Sequence, residues 1–224
     1  VESVPQAIVL LGQAKTFTLL RSAIMRNSLE ELGRLDDFWS SATEVAHLCS
    51  ILANRLTSIN QEKAYSIGML HDIGIPIMMS NHSSYKDFLK DAGHVSLRDL
   101  SAMEMEHYHI DHFTLGYRLA KEWKLPPIVS KTILLQPLFD KAFDKSIDVH
   151  ENLLSYLAIL ILAKDISNEY QNFWRLTSAD HFPEHIAPII EFLEISAMEY
   201  LDLKDNLIED IQDQDMQDQD LERV

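Results

Sequence analysis

Gly68-Met69-Leu70-His71-Asp72-Ile73-Gly74 is the stretch on which the reading of this chain turns. It lies in an apolar segment with helical spacing, Glu62 to Met79, whose end is expected near Gly74 to Pro76 because proline disrupts a helix interior. An adjacent His and Asp at such a helix end can aim an imidazole and a carboxylate at one metal ion. Mixed nitrogen and oxygen ligation suits a hard or borderline metal. The dipeptide alone carries little weight; its surroundings decide what it means.

Outward from it, nearly every segment reads as helix. Upstream, Val4 to Arg26 has long apolar runs with Pro5 suited to a first turn. Phe38 to Leu56 opens after Asp36-Asp37 and carries Val45, Leu48, Leu52 and Leu56 at helical spacing. Downstream, Asn81 to Gly93 is more polar and reads as a loop with a short helix. Leu97 to Tyr108 is helical, and Asp111 to Trp123 is amphipathic through Phe113, Tyr117 and Ala120. Pro126-Pro127 starts a helix over Ile128 to Leu135, which Pro137 ends. Val149 to Ile166 is apolar on most sides, as a central helix would be. Pro183 to Leu203 supplies the last helix. The fold class is therefore all-α. Six glycines and seven prolines in 224 residues argue against a turn-rich β protein.

Hydrophobic residues make up 46% of the chain, enough for a substantial core. The formal net charge of −16 disfavours nucleic acid and anionic membranes as partners. No apolar run approaches the roughly 20 residues of a membrane helix; the longest, Tyr156 to Ala163, reads as core. No signal-peptide pattern opens the chain. Cys49 is the single cysteine, in an apolar helical pattern; it reads as a packed residue and suits a reducing cytosol. From Glu199 to Val224 there are ten acids and two bases, a net −8. The chain thus divides into a helical domain over 1–203 and an acidic tail over 204–224. The tail reads as a solvated end, or as a docking arm for a basic partner.

A second polar cluster comprises Glu104, Glu106, His107, His109 and His112. Glu106, His109 and His112 would share a face on a continuous helix. Three close histidines suggest zinc, but the cysteine spacing of structural zinc sites is missing. The plainer reading is a polar helix start, with Asp111 at the N-cap and His112 in the first turn. His47, His82, His94, His150, His181 and His185 have no sequence partners and read as surface or satisfied core histidines.

Gly68 to Gly74 resembles the signature of the HD superfamily of metal-dependent phosphohydrolases. His112-Phe113-Thr114-Leu115-Gly116, followed by Leu119-Ala120 and Trp123-Lys124-Leu125-Pro126, is similar more specifically to the HDOD domain, the HD-related output domain of bacterial signalling proteins. Ser3-Val4-Pro5-Gln6-Ala7-Ile8 with Leu11-Gly12 resembles that domain's Ala-Ile helix, and Phe38-Trp39 with Val45-Ala46 its next helix. Glu104 and Glu106 stand where the family has an acid before the later histidine. The resemblance runs from about Ser3 to about Ile166 and implies a compact multi-helix HD-like domain with a final helix and acidic tail. The family has further helices before its Ala-Ile motif; with Val1 rather than Met at the start, this implies a trimmed or atypical N-terminus.

The departures bear on function. The resemblance implies metal ligands at an earlier histidine, the His-Asp pair and a late aspartate. Ser41 stands at the first of these positions and Lys164 at the last. Asp165 is adjacent to Lys164, but one residue rotates a helical side chain by about 100°. The paired histidines that follow the Trp-Leu-Pro segment in the family fall near Gln136-Pro137. His71, Asp72 and His112 remain as the candidate metal set. Lys164 could pair with Asp72 in place of a metal, or reach out to solvent. The resemblance thus implies a cytoplasmic regulatory module that acts on signalling proteins or a small ligand, with no cofactor and no catalysis. The alternative is a phosphohydrolase acting on a nucleotide or phosphoester through Mn, Fe, Mg or Zn. In it, Asp72 and His112 are the catalytic candidates and Glu106 or Asp165 a further ligand. A second-messenger binder is a third class, for which there is neither a glycine-rich phosphate loop nor an arginine cluster. Oligomeric state is not set by the sequence.

Overall fold

Helix α9, Glu151–Ile166, explains the architecture: every residue from Tyr156 to Lys164 is buried. A helix apolar on all sides must be surrounded, and the others pack around it. The computed structural model describes residues 35–92, 95–174 and 186–222, with side chains as far as 211. The expected helix over Val4 to Arg26, with the Ala-Ile motif, lies outside the described residues, as do His94, His181 and His185.

Helix α1, Asp36–Leu56, puts two acids in its first turn and Arg55 in its last, which suits the helix dipole. Its buried stripe includes Phe38, Trp39, Ala42, Val45, Ala46, Cys49, Leu52 and Ala53. This stripe faces α2, Gln61–Leu70, and α9. The α1–α2 contact is close because Gly68 has no side chain: a Cβ there would lie 2.6 Å from the Ala46 Cα. Asn60 caps α2, its side chain accepting from the Lys63 N–H at 2.9 Å.

The segment expected as one helix over Glu62 to Met79 breaks in two. A turn at His71–Ile73 separates α2 from α3, Gly74–Asn81. Pro76 therefore does not end a helix. It sits in the first turn of α3, where the missing N–H costs nothing. The short helix expected within Asn81 to Gly93 is α4, Tyr85–Ala92.

Helix α5 runs Leu97–Tyr108, and His109 ends it in the left-handed conformation at φ 59°. Asp111 caps α6, His112–Glu122, accepting from the Thr114 N–H at 2.6 Å. Helix α7, Pro127–Leu135, runs into a 3-10 turn at Gln136–Leu138 and the short α8, Phe139–Phe143. Helix α6 packs on α3 and α7, and α7 on α2 and α9. After α9 comes α10, Asn168–Trp174, against α1.

The single helix expected over Pro183 to Leu203 is two, α11, Ala187–Phe192, and α12, Ala197–Glu222. Glu194 turns left-handed at φ 57°. The N–H of Ile195 bonds to the Ile190 carbonyl at 3.1 Å, the closure of a Schellman motif. Tyr200 and Lys204 dock α12 onto α9, both bonded to Asp165, Lys204 at 2.8 Å. No strand occurs among the described residues. None of the described helices is long and apolar enough to cross a membrane.

Candidate functional site

The break after Leu70 turns two consecutive side chains, His71 and Asp72, into the interior, where both are buried. The His71 Nδ1 donates to the Gly68 carbonyl at 2.6 Å, which fixes the ring and leaves Nε2 facing Asp72. Nε2 lies 3.2 Å from Asp72 Oδ2 without the alignment of a hydrogen bond.

His112 arrives from the first turn of α6. It can do so because α3 begins with Gly74, whose backbone abuts the His112 carbonyl. The ring is held from behind by Glu104 of α5. Nδ1 is 2.8 Å from both Glu104 oxygens, and the His112 backbone N–H donates to Oε2 at 2.9 Å. The Tyr85 hydroxyl donates to the other oxygen, Oε1. A fully buried carboxylate thus has three donors, which offset its desolvation. The His112 Nε2 points forward, 3.7 Å from Asp72 Oδ1.

Lys164 enters from α9. Only 5% of its side chain is exposed, so it does not reach solvent. Its Nζ is 2.7 Å from Gln136 Oε1, 3.7 Å from Asp72 Oδ1 and 4.7 Å from the centre of the Tyr170 ring. Gln136 in turn donates through Nε2 to the His71 carbonyl at 2.7 Å. The amide orientation follows: its oxygen meets an ammonium and its nitrogen meets a carbonyl. The Trp174 indole N–H completes the group, donating to Asp72 Oδ2 at 3.3 Å.

These contacts set the charges. Burial alone would raise the Asp72 pKa; His71 and Lys164 beside it, helped by His112, outweigh this and hold it well below the usual carboxylate range. Burial lowers His112, but Glu104 and then Asp72 push it up to about 9. Burial brings Lys164 below the ordinary lysine value, and Asp72 opposes that shift. Burial pushes the Cys49 thiol upward, consistent with a packed and unreactive group.

Three buried atoms have no hydrogen-bond partner here: His71 Nε2, Asp72 Oδ1 and His112 Nε2. They are the donor atoms a metal would use. Yet the residues as arranged do not fit a divalent cation. Lys164 stands at the same carboxylate oxygen, and an ammonium and a divalent ion about 4 Å apart repel by roughly 8 kcal/mol at an effective dielectric of 20. Among the described residues, no three His, Cys, Asp or Glu side chains are arranged to hold a metal ion.

The other sequence candidates fall elsewhere. Ser41 is buried in α1. Glu106 and His109 are exposed, and the helix ends between them, so Glu106, His109 and His112 share no face. Asp165 faces Tyr200 and Lys204. His47 packs edge-on to Tyr65, His82 lies against Tyr108, and His150 caps α9. Trp174, Tyr170 and Tyr85 join the site without any signal in the sequence motifs, and Gln136 joins it in a role the sequence did not suggest. Trp174 also lines a cavity of about 330 Å³ with Lys86, Lys90, Asn172, Phe173 and Glu169 among its walls.

Comparison with known proteins agrees with this fold. A solved structure from Shewanella amazonensis SB2B, named "Putative phosphohydrolase", superposes with a TM-score of 0.64 at 24% identity, over 93% of this chain and 73% of that one. An "HDOD domain protein with unknown function" from Geobacter sulfurreducens gives 0.63 at 20% identity, over 94% and 72%. A "Putative signal transduction protein" from Marinobacter aquaeolei VT8 gives 0.57 at 18% identity, over 79% of this chain and 37% of that one. At these identities the likeness establishes the fold. No curated protein shows a significant match. The HDOD domain family matches residues 1–137, more than half of the 224, and the chain belongs to that family.

Proposed function

We propose that this chain is a regulatory output module of bacterial signal transduction, working in the cytoplasm through contacts with signalling proteins or a small ligand, and that its HD-type pocket does not hydrolyse phosphoesters. The observation that supports this most is the buried Lys164 ammonium at Asp72, where a hydrolase would need a divalent cation to activate water. The net charge of −16 favours basic protein partners over nucleic acid or anionic membrane. The cavity beside Trp174 has the size of a small-ligand site. The name of the Marinobacter protein fits the same role.

The test is an assay of the wild-type chain on a generic phosphodiester with manganese or iron, beside Asp72→Asn. Equal, background turnover in both is expected. Turnover that disappears in Asp72→Asn would overturn the proposal and restore the phosphohydrolase reading. Partner binding that survives Asp72→Asn is the corresponding positive result.

A further inference from the structure

The cavity beside Trp174 lies between two short helices, α4 and α10, and its walls sort by chemistry. The floor is apolar. Leu89 and Trp174 are 8% and 6% exposed, and Met79 and Phe173 are half-buried. The charged side chains are more exposed and divide by element. Helix α4 contributes Lys86 and Lys90, one turn apart. Asp37 comes from α1 and Glu169 from α10. Two cations and two anions thus face about 330 Å³ of shared space, yet among the described residues no ion pair joins the lysines to these acids. Lys90 instead reaches Asp87 on its own helix at 2.7 Å. Such an exposed pair contributes little, and a ligand can replace it.

This pattern selects by charge. A phosphate ester would bring about two negative charges against Asp37 and Glu169, and a simple cation would meet the lysines. A molecule with one charge of each sign on a short apolar body satisfies both walls. The volume falls at the lower end of the range for ligand pockets, about 300–1,000 Å³, which suits a molecule of that size. The α10 wall is also preformed. Glu44 Oε2 of α1 holds its start, accepting from the Ser167 hydroxyl at 2.5 Å and the Glu169 N–H at 2.7 Å. At its end the Trp174 indole N–H donates to Asp72. A wall pinned at both ends lowers the ordering cost of binding.

We propose that this cavity binds a small zwitterion with an apolar side chain, a free amino acid or a dipeptide. Lys86 and Lys90 receive its carboxylate, Asp37 and Glu169 its ammonium, and Phe173 and Trp174 its side chain. This inference rests on the small-ligand arm of the proposed function and names the chemistry of the ligand.

The experiment titrates the full chain by calorimetry with L-phenylalanine, L-leucine and the dipeptide leucyl-phenylalanine, with tryptophan fluorescence followed in parallel. Three control probes each change one feature. N-acetyl-L-phenylalanine lacks the ammonium, phenethylamine lacks the carboxylate, and adenosine monophosphate carries a phosphate instead. At least one zwitterion is expected to bind one per chain, with the acetylated and decarboxylated probes weaker by about tenfold or more. Lys86→Gln combined with Lys90→Gln should weaken binding by about tenfold, and Asp37→Asn combined with Glu169→Gln by a similar factor. Trp174→Phe should abolish the fluorescence change that binding causes. The four charged positions are exposed or half-buried, so these variants should melt like wild type. If one does not fold, the acetylated and decarboxylated probes test the same contacts on the unaltered chain. No binding of any zwitterion at about 10 mM would overturn the inference. So would binding that both pairs of substitutions leave unchanged, or adenosine monophosphate binding more tightly than all three zwitterions. Each of these results leaves the functional proposal standing, since protein contacts would still serve a regulatory module. Phosphodiester turnover lost in Asp72→Asn would overturn that proposal instead.

Discussion

Gly74 and His112 touch backbone to backbone: a Cβ built on Gly74 would fall 1.9 Å from the His112 carbonyl oxygen. This approach brings α6 near enough to α3 for its first histidine to meet Asp72. Gly74→Ala should therefore cost roughly 3 kcal/mol of stability in urea denaturation, at the upper end of overpacking effects. Gly68→Ala, which also meets backbone, should cost somewhat less. Gly116→Ala meets the side chains of Ile133 and Ile73 most closely, at 3.1 and 3.3 Å, with the Gly74 nitrogen in ordinary contact at 3.5 Å, and should be the mildest of the three. A different rank order would contradict the packing described.

His112 links stability to pH. Its folded-state pKa is raised from 6.5 to about 9, so its contribution is complete below pH 6.5 and is lost as pH rises through 9. Asp72 works in the opposite sense: its pKa is depressed, so its contribution is present above the ordinary value of 3.8 and is lost in acid. A stability plateau between about pH 4 and 6.5 is expected, with a fall on the alkaline side worth up to about 3 kcal/mol. Melting curves across pH 5 to 10 for wild type and His112→Gln check this, since the variant should lack the alkaline fall.

Glu104 is the buried acid that three donors share. Glu104→Gln breaks the pair with His112 and should destabilise by about 3 kcal/mol, as expected when one partner of a buried ion pair is removed. Tyr85→Phe removes a single donor and should cost about 1 kcal/mol. In the double variant the costs should fall short of additive, because the hydroxyl has lost the carboxylate it served.

Gln136 and Lys164 should be coupled in the same way. Gln136→Leu leaves the ammonium without its closest acceptor and should cost roughly 2 kcal/mol. In a Lys164→Met background the same change should cost less than half as much. Equal costs in both backgrounds would show that the amide serves the His71 carbonyl alone.

Ser196 caps α12 by a reciprocal pair, accepting from the Glu199 N–H at 3.2 Å while its own N–H donates to Glu199 Oε2 at 2.7 Å. Ser196→Ala should cost about 1 kcal/mol and Ser196→Asp almost nothing, as read by thermal denaturation.

The sequence made some of this legible for definite reasons. Leu97–Tyr108 and the start of α6 were readable because side chains announce helix ends: Ser96 accepts from the Asp99 N–H and Asp111 from the Thr114 N–H. The break at His71–Ile73 was not readable, because His71 and Ile73 keep helical dihedral angles and no capping side chain marks the start of α3. The nearby proline drew the boundary to the wrong place. At Glu194 a left-handed residue ends α11 without the usual glycine, although Ser196 and Glu199 did carry the capping-box spacing of the next helix. In the site, His71, Asp72, His112 and Lys164 could be placed together from motif positions. Trp174 could not, since it reaches Asp72 from 102 residues further along the chain. Gln136 was visible only as the absence of a histidine, because an amide that bridges an ammonium and a backbone carbonyl leaves no trace in spacing.

The supports behind the two histidines have a wider consequence. Gly68 holds one ring and Glu104 the other, and neither needs an ion in front of it. What lies in front of the rings therefore does not set their placement, because each is fixed from behind. The His71-Asp72 pair thus marks the framework. Whether reactions run on that framework is decided by the residues that arrive late in the chain to fill its centre.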